Sequence, residues 1–498
     1  MSGIKKLASQ TAWYGFSNIG SRMLNYLLTP LLTSLFAAGD FSKISTLFAM
    51  AGFMNIVFSF GMETTYFRFL NEYKEQKVFN TTFTTIVMSA IFFSIFSFVL
   101  IDPLANLTKL EDHPEYIQWL ICIVIFDTLS VIPFAKLRHM GRPHKYAFIK
   151  LFNVLLQIGL IYFILDVCKN ADRSSFWADL YNPDIGIGYV ILANLLASAL
   201  TFVFLATEIL QFKWEFDFLF WKKTLVYALP LLIVGFGGMI NEMIDRFMLL
   251  NFYPGTLSER HQANGIYSAN YKLAVVIVLF IQAFRLGAEP FFFKAATQSD
   301  APKIYARVMK FFVIVCCFSF LGVVLFLDIW KYFMGSTHKE YWTGLVVVPL
   351  LMVSKIFLGI YYNLSVWYKL TNKNLMGAWI TIGGALITIT LNYLLIPILG
   401  YTACAITTIV CYGSMMLSSY FLGQKYFPVP YDVKRMLGYI FLAVLIFLIF
   451  SFMVSDSTNT PFKLLIGLIL SIIYTGCIFF KEKEELSRIP IFAKWLSK

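Results

Sequence analysis

Long apolar runs recur along this chain, and short segments with charges, proline or glycine separate them. A helix needs about 20 predominantly apolar residues to cross the hydrocarbon core of a membrane. The pattern therefore predicts an all-α, polytopic membrane protein of about fourteen transmembrane helices. We predict the spans at residues 10–36, 43–62, 80–101, 116–136, 146–166, 186–207, 224–250, 264–288, 307–330, 342–364, 375–397, 400–423, 436–455 and 462–480.

A short motif occurs twice in the same register, at residues 61–68 and at residues 287–294. Both copies read Gly-x-Glu-x-x-aromatic-aromatic-base, and both fall at the end of a predicted span. Aromatic and basic residues also gather at membrane interfaces without any duplication. A duplicated six-helix unit explains the spacing better, and parallel repeats are a known transporter design. We therefore predict two pseudo-symmetric six-helix lobes and two additional C-terminal helices, with domains at 1–212, 213–425, 426–480 and a tail at 481–498.

The composition agrees with a chain that has lipid as its main solvent. Hydrophobic residues make up 59% of the 498 residues, charged residues 14%, and the mean hydropathy is +0.71. A soluble domain is about one quarter charged. The net charge of +12 does not indicate nucleic-acid binding, because the charges lie in short loops between apolar runs.

The distribution of lysine and arginine predicts the orientation. If the N-terminus is cytoplasmic, 26 of the 40 Lys and Arg residues fall on the cytoplasmic side and 8 on the outer side. Cytoplasmic loops of membrane proteins carry such an excess. We expect a bacterial cytoplasmic (inner) membrane protein with both termini in the cytoplasm.

The motifs of common membrane-associated enzymes are missing from the sequence. It has no Walker A motif, no His-Glu-x-x-His and no Gly-x-Ser-x-Gly. The seven cysteines have no metal-type spacing, and six of them lie in apolar runs. We expect a protein that is not an enzyme, with no cofactor and no metal site.

Several basic residues fall inside predicted spans, where an ionisable group is costly unless it faces a cavity or a partner. Arg22 has no acidic residue within one helical turn, and Asn18 and Asn25 lie near it in the first span. Arg246, Lys272 and Arg285 lie in the seventh and eighth spans. These six residues are our candidate ligands for an anionic substrate.

Each of these charges also has a structural interpretation. Arg246 could pair with Glu242 and Arg285 with Glu289, since both pairs have i, i+4 spacing. Lys272 could extend to the membrane surface. Lys355 lies in the middle of its span, and the isolated Asp127 is best explained by a helix–helix hydrogen bond.

Two segments are similar to the polysaccharide-exporter branch of the multidrug/oligosaccharidyl-lipid/polysaccharide (MOP) flippase superfamily. They are residues 5–15 at the start of the chain and residues 361–373 at the end of the tenth span. The six-plus-six-plus-two arrangement resembles the same family. The resemblance implies an O-antigen-type flippase that moves an undecaprenyl-diphosphate-linked oligosaccharide to the outer leaflet by alternating access. Basic residues of the first, seventh and eighth spans line the family's cavity, and Arg22, Arg246, Lys272 and Arg285 occupy comparable places.

The resemblance also implies partners and an energy source. The expected partners are a polyprenyl-diphosphate-linked glycan, membrane lipids, and a glycan polymerase or glycosyltransferases. The expected source is a proton or sodium gradient or the membrane potential. Carboxylate and amide oxygens suit a hard cation, so our candidate coupling ligands are Asn241, Glu242, Asp245 and Asn392.

Three alternatives stay open at this stage. Lipid II flippases carry more cavity arginines, including one on the second span, where this chain has none before Arg68; another polyprenyl glycan is therefore favoured. A multidrug exporter of the same superfamily would need an acidic cavity, for which Glu63, Asp127, Glu242 and Asp245 are available. A membrane-embedded glycan-synthesis enzyme is the third.

Overall fold

The computed structural model describes residues 2–172, 176–215, 217–295, 300–454 and 459–486. Side chains are described from Ile19 onward, except those of residues 286, 287, 289–291, 293–295 and 486. Regular structure in these ranges is helical, which confirms the all-α prediction. The long helices are α1 (Ser2–Leu35), α2 (Ala38–Ser59), α3 (Glu75–Val99), α4 (Pro114–His139), α5 (Pro143–Tyr162), α6 (Gly188–Phe204), α7 (Phe218–Phe252), α8 (Leu257–Ala295), α9 (Ala301–Val324), α10 (Val348–Leu364), α11 (Asn374–Leu399), α12 (Tyr401–Tyr426), α13 (Val433–Met453) and α14 (Thr460–Leu486).

Each predicted span overlaps one of these helices. Within the described ranges, twelve helices are long and apolar enough to cross a membrane, or thirteen if α6 is joined to the bent turn at Ala178–Ile185. The first helix, α1, is not among them, because polar residues such as Arg22 and Asn25 lower its hydropathy. The chain is a multi-pass membrane protein, and its span count agrees approximately with the prediction.

The two copies of the repeated motif differ in local structure. Phe60 and Gly61 both have positive φ, of 51° and 66°, so α2 stops there and a short helix, Met62–Phe69, follows. Glycine adopts this left-handed conformation without a steric penalty. In the second copy, α8 remains helical from Leu257 to Ala295. The motif therefore marks a helix break in the first half of the chain only.

The helices pack mainly within two groups. In the first half, α1 packs on α5, and α6 packs on both α4 and α5. In the second half, α7 packs on α11, and α12 packs on both α10 and α11. Helices α2 and α8 join the two groups, and α13 packs on α9 and α14. The domain boundaries at 212, 425 and 480 stay predictions.

Helices α2 and α8 meet closely near their N-terminal ends, in a contact that we call the α2–α8 seam (Ser42, Thr46, His261, Asn264 and Gly265). A Cβ added to Gly265 would lie 1.7 Å from the carbonyl oxygen of Ala38, so only glycine fits. Asn264 Nδ2 donates to Ser42 Oγ (2.9 Å) and to Thr46 Oγ1 (3.0 Å). Ser42 Oγ is 3.1 Å from His261 Nδ1. The seam is polar and tightly packed.

Candidate substrate cavity

A cavity of about 620 Å³ lies at the inner faces of five helices of the first group, α1, α2, α4, α5 and α6. From the second group, Met243 and Arg246 of α7 and Lys272 of α8 complete its wall. The helices that join the two groups therefore also border the cavity.

The charged residues of the wall are mostly basic. Four of those described are cationic and two are acidic: Arg138, Lys150, Arg246, Lys272, Glu63 and Asp127. Arg138 forms an ion pair with Glu63. Asp127 Oδ1 accepts a hydrogen bond from Ser198 Oγ at 2.8 Å, which is the helix–helix bond expected for it.

Two of the cavity lysines have no carboxylate at ion-pair distance among the described residues. Lys150 Nζ lies 4.4 Å from the ring centroid of Phe134, and Lys272 lies on the opposite wall. An ammonium group in such a place gains strongly from an anionic partner, because the surroundings screen charge less than water does. These two lysines contribute positive charge that no close ion pair neutralises among the described residues, although Asp127 lies within electrostatic reach of Lys150 and Glu242 within reach of Lys272.

The structure brings three of the predicted substrate residues to this cavity, namely Asn25, Arg246 and Lys272. Arg22 is exposed and lies within electrostatic reach of Lys150 and Arg285. The guanidinium of Arg285 lies 4.2 Å from the ring centroid of Tyr362. The side chains of Asn18 and Glu289 lie outside the described residues.

Arg246 is buried and already paired. Its Nη1 donates to Asp245 Oδ1 (2.6 Å) and to the backbone carbonyl of Glu242 (2.7 Å). Tyr267 donates to the other oxygen of Asp245. The alternative pairing of Arg246 with the Glu242 carboxylate is therefore not found, because the adjacent Asp245 occupies the guanidinium.

The Glu242 carboxylate instead binds Lys355 of α10, at 3.0 Å from Nζ to Oε2. Tyr412 Oη donates to the same oxygen at 2.6 Å, and Tyr271 donates to the other oxygen. Lys355 is fully buried. Lys355, which lies in the middle of its predicted span, therefore pairs with a carboxylate that is 113 residues away in sequence.

Three of the four predicted coupling residues are linked through shared partners, since Tyr412 contacts both Asn241 and Glu242 and Arg246 contacts both Glu242 and Asp245. Asn241 accepts a hydrogen bond from Thr388 and donates one to the carbonyl of Thr381, while Glu242 and Asp245 each hold a basic side chain. Asn392 is buried, and its Oδ1 has no hydrogen-bond partner among the described residues. Within the described part of the chain, no three His, Cys, Asp or Glu side chains converge on a possible metal position.

Sequence reasoning missed several polar residues of the cavity, on α5 and α6. Lys150, Asn153 and Gln157 follow one another at helical spacing along α5, and Asn194 faces them from α6. The spacing of three and four residues on α5 was the available signal. A single neutral amide in a strongly apolar run changes the mean hydropathy of that run little. Hydropathy alone therefore did not indicate that these amides line a cavity.

The helix arrangement and its central polar cavity define a multi-pass membrane protein with a transporter fold. The chain belongs to the polysaccharide biosynthesis protein family, whose family model matches residues 7–295. This confirms the family that the sequence motifs indicated.

Solved structures show the same fold at low sequence identity. The lipid II flippase MurJ in an inward closed conformation is 16% identical, with a TM-score of 0.70, covering 94% of this chain and 99% of that one. An inward-facing multidrug resistance MATE family transporter of the MOP superfamily is 12% identical, with a TM-score of 0.65, covering 81% and 94%. The MATE multidrug transporter DinF-BH is 16% identical, with a TM-score of 0.59, covering 84% and 95%. A comparison with curated proteins found no significant sequence match.

Proposed function

We propose that this protein is a flippase that moves an undecaprenyl-diphosphate-linked oligosaccharide across the bacterial cytoplasmic membrane for cell-surface polysaccharide biosynthesis. The observation that carries the proposal is a pair of cavity lysines, Lys150 and Lys272, with no carboxylate at ion-pair distance among the described residues. A diphosphate is a compact dianion, and lysine is a common phosphate ligand. The family match supports a role in polysaccharide biosynthesis.

The geometry suits alternating access. The head group enters the cavity between the two helix groups, while the polyprenyl tail stays in the bilayer and needs no polar path. Arg22 and Arg285 extend the positive potential beyond the two lysines, which raises the local concentration of an anionic head group. Both termini are cytoplasmic in this proposal, as the lysine and arginine distribution predicts.

Coupling to a proton, a sodium ion or the membrane potential belongs to the same proposal. Asn241, Glu242, Asp245 and Asn392 stay the predicted ligands of the coupling ion. A cation that binds Glu242 must first displace the ammonium group of Lys355. Coupling through this carboxylate would therefore be an exchange of one cation for another.

Export of cationic drugs is the second candidate function. Asp127 faces the cavity and has no basic side chain at ion-pair distance among the described residues, and two structural relatives are multidrug transporters. The other cavity carboxylate, Glu63, is neutralised by Arg138. The balance of charge favours an anionic substrate.

Transport in proteoliposomes tests the proposal. We expect the wild type to move a fluorescent undecaprenyl-diphosphate oligosaccharide between leaflets, and Lys272→Ala and Lys150→Ala each to slow this about tenfold or more, since each removes a charge-assisted contact. Lys222→Ala removes an exposed lysine outside the cavity and should leave the rate unchanged. If the wild type moves a cationic dye but no polyprenyl diphosphate, drug export replaces the flippase.

A further inference from the structure

The wall formed by α5 and α6 differs in chemistry from the rest of the cavity. Its polar side chains are mostly neutral, and they lie at helical spacing on the two facing helices. On α5 they follow Lys150, and on α6 they form a stripe of one amide and two hydroxyls. The neutral members are Asn153, Gln157, Asn194, Ser198 and Thr201.

Part of this wall is held by its own hydrogen bonds. Asn153 Nδ2 donates to Thr201 Oγ1 at 3.0 Å, which ties α5 to α6. Ser198 Oγ donates to Asp127 Oδ1, which ties α6 to α4. These two bonds link α4, α5 and α6 through their side chains. The amides of Gln157 and Asn194 take no part in them.

Gln157 and Asn194 are the free amides of the wall. Gln157 is only 5% exposed, it borders the cavity, and its amide has no hydrogen-bond partner among the described residues. Asn194 is half-buried and likewise has no partner there. Each amide carries two donors and one acceptor, and a buried amide with no partner is costly. Both amides border the cavity and keep hydrogen-bonding groups that a ligand there can use.

We propose that Gln157 and Asn194 form a glycan subsite, which binds hydroxyl groups of the sugar in the lipid-linked substrate; this rests on the proposed flippase function. A primary amide both donates and accepts, which matches a sugar hydroxyl. A phosphate only accepts, and a cationic drug would seek a carboxylate. The partly exposed ring of Phe48 borders the same cavity and offers an apolar surface to the C–H face of a sugar.

The arrangement separates the two parts of the head group. Gln157 lies seven residues after Lys150 on α5, so the two side chains are about 10 Å apart along the helix axis. The cationic groups at Lys150 and Lys272 hold the diphosphate, and the amides contact the attached sugar. A site built to hydrogen-bond a hydroxyl discriminates strongly against a ligand that lacks it. The subsite thus selects which glycan is moved.

Binding to a defined set of probes tests this subsite. The probes are undecaprenyl diphosphate without sugar and undecaprenyl-diphosphate-linked glucose, galactose, N-acetylglucosamine and N-acetylgalactosamine. We expect the full-length wild type to prefer one or more of the sugar-bearing lipids over the bare diphosphate. Gln157→Leu and Asn194→Leu should each weaken the preferred lipid about fivefold to tenfold, with the bare diphosphate changed less than twofold.

Two controls separate the possible outcomes. Lys272→Ala should weaken every probe, including the bare diphosphate, and Leu196→Ala on the exposed face of α6 should change none. The subsite is overturned if both amide variants weaken the bare diphosphate as much as the sugar-bearing lipids, or if neither variant changes any probe. If the wild type binds no polyprenyl diphosphate at all, the proposed function fails together with the subsite.

Discussion

At the residue scale, the ion pair of Lys355 and Glu242 joins two helices, α10 and α7, inside the protein. Lys355 is fully buried on α10, while the Glu242 side chain on α7 keeps 28% exposure. Two tyrosines donate to the same carboxylate. A buried pair adds little stability by itself, but the removal of one partner leaves an uncompensated charge.

We predict that Lys355→Met destabilises the protein by about 3 kcal/mol, the lower end of the range for a broken buried pair. The lower end of the range applies because the Glu242 side chain is partly exposed, so water can partly solvate its charge once Lys355 is gone. The double variant Lys355→Met with Glu242→Gln should recover most of the loss, since no charge then lacks a partner. The measurement is the apparent unfolding temperature in detergent, and a double variant no more stable than Lys355→Met would contradict the prediction.

The residues of the cavity show how far sequence reasoning extends at this scale. Arg246, Lys272 and Asn25 are visible in the sequence as polar breaks in apolar spans. The partner of Glu242 is not, because helical i, i+4 spacing points to Arg246 and the real partner lies on another helix. Pairing across helices depends on how the helices rotate against each other, and hydropathy carries no information about that rotation.

At the element scale, two carboxylates of α14 pair with basic residues of α9, and the buried one, Glu482, also contacts α13. Glu482 of α14 is fully buried, and it accepts hydrogen bonds from Lys310 of α9 and Tyr439 of α13. Arg435 lies 3.7 Å from the same carboxylate. Because three helices meet at this one group, it joins the added pair of helices to the second half of the chain.

We predict that Glu482→Gln loosens α13 and α14 without loosening the rest of the second half. The change removes the closer of the two carboxylates that pair with buried Lys310 and leaves Glu485, at 3.4 Å, as the remaining one among the described residues. Hydrogen exchange should rise in residues 433–453 and 460–485 and stay unchanged in α10 to α12. Lys483→Gln, an exposed change one residue away, is the control; equal exchange in both variants would speak against a fastening role.

The positions of the helices were predictable at this scale, and their breaks were not. Every predicted span overlaps one long helix, since apolar length alone marks a membrane helix. The break at Phe60 and Gly61 was invisible, because the same motif at residues 287–294 continues as a helix. The local sequence permits both structures. At the break the chain passes close to α7, since a Cβ added to Gly61 would lie 3.2 Å from Leu231.

At the scale of the whole molecule, the two halves of the chain meet along the α2–α8 seam. Its closest contact is the approach of Gly265 to the backbone carbonyl of Ala38. The backbone of Ala38 also donates to Glu340 Oε1 at 2.6 Å, so a third segment covers the same place. Helix α7 also packs on α2, and α1 packs on α8, so further contacts join the two halves beside the seam.

We predict that Gly265→Ala prevents the seam from closing, because the added Cβ would lie 1.7 Å from the Ala38 oxygen. Hydrogen exchange should rise at residues 38–46 and 261–268, and lipid flipping should slow. Gly438→Ala is the matched control, since nothing lies within 4 Å of its added Cβ and alanine favours the helix. Unchanged protection at the seam in Gly265→Ala would show that the helices can shift without separating.

The polar character of the seam affects the free energy that is needed to separate α2 from α8. Opening an apolar contact exposes surface to water at about 25 cal/mol per Å², and the whole area must be wetted before anything is regained. The polar groups of these side chains are buried while the seam is closed, and after opening they form hydrogen bonds to water instead, at a net cost of about 1 kcal/mol for each bond lost; the residues are Ser42, Thr46, His261 and Asn264. A seam held by hydrogen bonds therefore recovers part of its opening cost from water, which an apolar seam of the same area does not.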